Sequence, residues 1–197
     1  MGLIIKKETE NQSVPVFVTI IEDYPGGGTL SQTGLVVGET VKAGALVKFD
    51  ESTRLVSVLK TASITENATN TATDYKISKG SGLVVGDNFS AVVGGKAYPI
   101  TVIDKTNADY DLVSVGTTLG VALVVGDVVF QSSATGASAG ALMYDVNGIL
   151  RNSAVVGNNE MVAVVRRGTT YERRLPSPVP SAVKTALQGL IVFSKQF

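Results

Sequence analysis

The sequence predicts an all-β fold, and three observations carry the prediction. Valine occurs 30 times against 15 leucines, and β-branched side chains suit a pleated surface better than a helix. The 21 glycines break the apolar runs about every ten residues, as turns and bulges between short strands would. Only one stretch, residues 182–190, spaces its apolar side chains at a helical period. The expected architecture is a short-stranded twisted barrel or sandwich with an N-terminal arm and one short C-terminal helix.

Taken in order, residues 14–21 (Val-Pro-Val-Phe-Val-Thr-Ile-Ile) form the first strand candidate, with Pro15 marking an edge or a strand start. Tyr24-Pro25-Gly26-Gly27-Gly28 reads as a loop or hinge, because consecutive glycines are costly to hold in regular structure. It would separate an arm, residues 1–23, from the body. Three related segments follow: Gly34-Leu35-Val36-Val37-Gly38-Glu39, Gly82-Leu83-Val84-Val85-Gly86-Asp87 and Leu123-Val124-Val125-Gly126-Asp127. Each is an apolar run ending in a residue pair suited to a turn, with a new apolar run behind it. Their unequal spacing argues against a solenoid, and a chain so rich in Val and Gly also produces such matches by composition alone.

Residues 45–50 and 54–59 alternate as a hairpin around residues 51–53. A second hairpin joins residues 91–93 to 97–103 across Gly94-Gly95, and residues 106–109 turn into a strand at 110–115. Residues 64–74 and 132–140 are rich in small and polar side chains and read as an exposed loop and a domain boundary. The expected division is thus an arm and Gly hinge over 1–28, a main β domain over 29–131, and a C-terminal segment over 132–197. In that segment a strand at 161–165 precedes Arg166, Arg167, Arg173 and Arg174. Pro176, Pro178 and Pro180 then stiffen the backbone. Ser181 is the expected N-cap of the helix, whose apolar face is Val183, Ala186, Leu187 and Leu190. Ile191-Val192-Phe193 reads as a final strand or apolar anchor.

Composition excludes much chemistry. With neither Cys nor His, disulfides, thiolate metal sites and every His-based triad are impossible. Seventeen basic and seventeen acidic residues cancel, giving no electrostatic reason to expect nucleic acid or an anionic membrane as partner. Residues 1–11 lack the apolar core of a signal peptide, and no apolar run approaches membrane-spanning length. The expectation is a soluble protein made in the cytoplasm. Ser78 with Lys76 or Lys79 is a Ser-Lys pattern, but both lysines lie in polar sequence where they would stay protonated. Asp104, Asp109 and Asp111 fit no calcium-loop spacing and read as turn residues. Neither Gly26-Gly27-Gly28 nor Gly80-Ser81-Gly82 leads into a helix, so neither is a phosphate cradle. The paired arginines are open to three readings: solvated face, contact with an acidic partner groove, or nucleic acid, the last without any interleaved aromatic platform. No catalytic, metal or cofactor-binding residue is expected.

A tethered strand and an apolar tail on an inert β body are the layout of an assembly protein, since such ends can add to a neighbour's sheet edge, the alternative being that they pack on their own domain. The expected partner-binding residues are Val14, Val16, Phe17, Val18, Arg166, Arg167, Arg173, Arg174 and Phe193. Two stretches carry a family likeness. Val41-Lys42-Ala43-Gly44-Ala45-Leu46-Val47-Lys48-Phe49-Asp50 resembles hairpins of small tailed-phage capsid decoration proteins. Residues 161–168, continuing through Leu175-Pro176 to residues 182–193, are similar to the end of phage head fibre and head decoration proteins. The resemblance implies a virion component outside the head shell, contacting the major capsid protein. It would be a homo-oligomer, with a trimer favoured over a dimer. The length leaves little room for a distal shaft, which favours a decoration or fibre-base role. A glycan- or host-surface-binding adhesion module is the alternative, weakened by six tyrosines that are scattered along the sequence.

Overall fold

The structure, a computed structural model, describes residues 15–195. In chain order the first strands are β1 (Phe17–Asp23), β2 (Gly28–Leu30), β3 (Thr40–Val41), β4 (Leu46–Phe49) and β5 (Leu55–Val58). Next come β6 (Thr61–Ser63), β7 (Asp74–Ile77), β8 (Asn88–Ser90), β9 (Ala97–Asp104), β10 (Asp111–Val115) and β11 (Val128–Ser132). The chain ends with β12 (Gly148–Leu150), β13 (Ala154–Val155), β14 (Met161–Val162), β15 (Val164–Tyr171), a 3-10 turn (Glu172–Arg174), helix α1 (Ser181–Ala186) and β16 (Ile191–Ser194). The fold is all-β, as the valine excess implies.

The strands sort into two curled sheets. One runs β6-β11-β8-β9-β10-β7 and closes on itself. Ile64 bridges Ile77, the Thr65 N–H donates to Lys76 O, and the Ser78 N–H donates to Ser63 O. The result is a six-stranded barrel without a free edge at that seam, which removes the pairing liability of open sheets. Alternate residues fill it: Ala62 and Ile64, Tyr75 and Ile77, Val113 and Val115, with Phe89 against Tyr75 at 5.4 Å between ring centroids.

The other sheet takes strands from both ends of the chain, in the order β1-β15-β12-β4-β5-β2-β14, with β16 parallel to β15. β14 and β15 are one strand interrupted at Ala163, so this ladder returns to the strand from which it set out. Its two faces bury separate clusters, as period-two alternation requires. Val47, Leu150 and Val164 point inward with Tyr24 and Phe49. Their neighbours Leu46, Ile149 and Val165 point outward, where Val179, Val183, Leu187 and Ile191 cover them.

Several expectations are redrawn. Residues 15–23 do not project as an arm. β1 pairs along β15, and Phe17 and Ile20 pack against the outward cluster, so ordering this strand is offset by hydrogen bonds and burial on its own domain. The glycine run is not a hinge either. The Arg54 guanidinium donates to the carbonyls of Pro25 and Gly27, and a Cβ on Gly28 would meet Arg54 O at 2.6 Å and Phe49 at 2.7 Å. Strands on each side of the expected divisions at 28/29 and 131/132 share a sheet. Residues 133–140 fold back so that Ser132 Oγ accepts the Ala141 N–H and donates to Ala139 O. The helix is shorter than its apolar spacing suggests and is capped by Pro180 rather than Ser181. It ends early because Gly189 takes φ +81° and the chain must turn to lay β16 beside β15.

Candidate interaction surface

The three Val-Val-Gly segments form one recurring device, and the structure adds a fourth. At Val36-Val37-Gly38-Glu39, Val84-Val85-Gly86-Asp87 and Val124-Val125-Gly126-Asp127 the last N–H donates to the first carbonyl, at 3.2, 3.1 and 3.0 Å. The glycines sit at φ +90°, +94° and +95°, the third position of a type II turn, which only glycine occupies cheaply. Lys42-Ala43-Gly44-Ala45 closes in the same way, with 3.2 Å and φ +90°. Each turn is then bridged identically to a buried apolar residue. The glycine N–H donates to its carbonyl, and its N–H donates to the carbonyl of the residue after the glycine. The partners are Val156, Ile100, Ile64 and Leu150 for glycines 38, 86, 126 and 44.

This geometry decides where the valines point. The residue before each glycine is the outer corner of the turn, held away from the core by three backbone bonds. Val37, Val85 and Val125 are accordingly 67, 60 and 62% exposed, and Val36 and Val124 are exposed beside them. Asp87 and Asp127 lock their turns further, each carboxylate accepting the N–H of the first valine at 3.0 and 2.8 Å. Val92 and Val93, in the β8–β9 loop, are also exposed and line a groove shared with Val121, Leu123 and Pro180. Large apolar side chains fixed outward on rigid turns are the type of surface that a partner covers.

The residues expected to bind a partner are not gathered in one place. Val14 lies outside the described residues. Val16 and Phe17 are half-buried, and the Val16 carbonyl accepts the Tyr171 N–H at 2.9 Å. Val18 is exposed at the outer edge of β1. Arg166 is engaged with Glu22 at 3.5 Å and lies over the Tyr24 ring, while Arg174 donates to Pro15 O and lies over the Tyr171 ring. Arg167 and Arg173 are exposed. Phe193 is half-buried, in register with Thr170 on β15. The arginine pairs therefore split between intramolecular work and solvent.

The other candidate groups have partners within the chain. Lys79 pairs with Asp111 at 2.9 Å and Lys76 with Glu66 at 2.6 Å. Asp104 accepts the Thr106 N–H in the β9–β10 turn, which holds its pKa below the ordinary value. No group of three or more acidic residues able to hold a metal occurs among the described residues. Tyr24 and Tyr75 are buried, and burial raises the pKa of both. No helix among the described residues is long and apolar enough to cross a membrane.

Comparison of the chain with protein-family models, with curated proteins and with solved structures gives no match.

Proposed function

We propose that the chain is a structural virion protein, decorating a phage capsid or forming the base of fibres on it through contact with the major capsid protein. The observation that carries the reading is the set of outward valines on bridged type II turns. Their exposure is maintained by backbone hydrogen bonds, so it costs the fold little to hold them ready and they lose almost no entropy on docking. Burying each is worth about 1.5–3 kcal/mol. The likeness of residues 41–50 and of the C-terminal stretch to phage head decoration and head fibre proteins supplies the particle. A homo-oligomer, with a trimer favoured, is part of the same proposal.

The test mixes purified chain with shells that lack it and images them by cryo-electron microscopy. Regular added density is the expected result. The triple variant Val37→Ser, Val85→Ser, Val125→Ser should bind at least about 100-fold more weakly while keeping its melting temperature, because these side chains touch no core. Failure of the parent chain to decorate shells at any salt concentration sinks the reading.

A further inference from the structure

A cleft of about 430 Å³ separates the turns at residues 35–42 from the loop at 79–82 and is closed at one end by Pro176 and Ser177. Its volume falls within the range of pockets that bury a ligand or a short peptide, roughly 300–1,000 Å³. The floor is apolar, built by Leu35, Val58, Leu59 and Val156. Across its base runs Lys60, 3% exposed. Its Nζ lies 2.7 Å from Asp87 Oδ2, and Asp87 Oδ1 accepts from Gln131 Nε2 at 2.8 Å. That charge is matched, as burial demands.

The rim is different. Lys42 and Lys105 are exposed and line the cleft, and neither ammonium has a partner among the described residues. On the same wall Gly80 and Gly82 take φ +75° and +70° on either side of Ser81, whose φ is negative. Such reversals of backbone hand gather successive N–H groups around an anion. The Ser81 N–H turns back toward the Ser78 carbonyl, and the N–H groups of 80 and 82 have no acceptor among the described residues. Of the two acids on the lining, Asp111 is paired with Lys79, and Glu39 makes no ion pair among the described residues.

We propose that this cleft binds an extended acidic segment of a partner protein. Its carboxylates would meet Lys42, Lys105 and the N–H groups of Gly80 and Gly82, and its intervening apolar side chains would cover the floor. A free phosphate or sulfate satisfies the N–H groups but leaves the half-buried Leu35 and Val58 wet, so a peptide uses more of what the cleft offers. The inference does not rest on the attachment reading. Its probe is a free peptide, and the Val37, Val85 and Val125 variants leave the cleft lining untouched.

The experiment titrates the full chain against a fluorescein-labelled octapeptide that alternates Glu with Leu, read by anisotropy. Matched controls carry Lys for Glu and Ser for Leu. Saturable binding is expected for the Glu/Leu peptide alone. It should weaken about tenfold or more in Lys42→Glu/Lys105→Glu, tighten in Glu39→Gln, and fall with salt. Both lysines are exposed and unpaired, so the double variant should melt within a few degrees of the parent, which shows that it is folded. No saturable binding, or binding indifferent to the double variant, overturns the proposal. Full competition by millimolar phosphate overturns it in favour of a small-anion site. Loss of self-association in the double variant by light scattering overturns it in favour of a second copy as occupant.

Discussion

Individual side chains show where this molecule carries strain and where it has none to spare. Thr170 is fully buried in β15, and its hydroxyl has no hydrogen-bond partner among the described residues. An unmade bond in the interior costs more than an apolar isostere would. Thr170→Val should therefore raise stability by about 1 kcal/mol, measured as a higher urea midpoint at unchanged slope. Lys60 presents the opposite case. Lys60→Met strands Asp87 beside Gln131 without its counter-charge and should cost about 3 kcal/mol or more. Asp50 sets a pH dependence. Its carboxylate accepts from the Ser52 hydroxyl and N–H in the β4–β5 turn, and these bonds hold its pKa down to about 2. With the folded value below the ordinary 3.8, the contribution is fully present above that pH and is lost as pH falls toward 2. Acid titration of melting temperature should show a component over that window that Asp50→Ala removes.

At the scale of the element, the bridged turn is the unit that this fold repeats. Gly86 has open space around its Cα, so Gly86→Ala adds no clash. Its φ of +94° still penalises any Cβ, and the loss should be about 1–2 kcal/mol by denaturant unfolding. Three of the four turns were legible in the sequence, because Val-Val-Gly-Asp/Glu joins an apolar run to a turn pair. The fourth, Lys42-Ala43-Gly44-Ala45, shares only the glycine and the apolar run behind it. What identifies it is the reciprocal bridge to Leu150, more than a hundred positions away, and no local pattern reports such a partner. The hairpin around residues 51–53 was legible for the same local reason. β1 was legible as a strand but not in its placement, since alternation fixes a strand's faces and not which edge it joins. The outward placement of the valines is not legible in the sequence, because periodicity does not separate a buried run from a turn corner.

At the scale of the whole molecule, the two sheets differ in how they are sewn. The closed barrel draws all its strands from residues 61–132, whereas the other sheet needs residues 17–58 and 148–194 together. The barrel's ends meet, for the Gln131 N–H donates to Lys60 O at 3.0 Å. A chain of residues 60–143 has its own core and should fold alone, giving a cooperative thermal transition and dispersed amide resonances. The remainder joined by a short linker should be much less stable, since it loses Leu142 and Met143 from its outward cluster and the hydrogen bond from Thr61 to Pro178 O. A fragment that stays unfolded would show that the two sheets depend on each other. The candidate cleft was the least legible feature, because Lys42, Lys105 and the glycines at 80 and 82 come together only once both sheets are built.

The pairing of β1 and β16 with one strand has a mechanical consequence. Phe17 faces Thr170 and Ser194 faces Tyr171, so the two ends of the described chain leave from the same end of β15. Tension drawn between them would peel each ladder one hydrogen bond at a time, beginning at that end, instead of shearing the ladders as a block. Peeling needs little force, and the closed barrel of residues 61–132 is bypassed until it is complete. Anchored by both ends, the molecule would behave as an extensible tether around an intact bead.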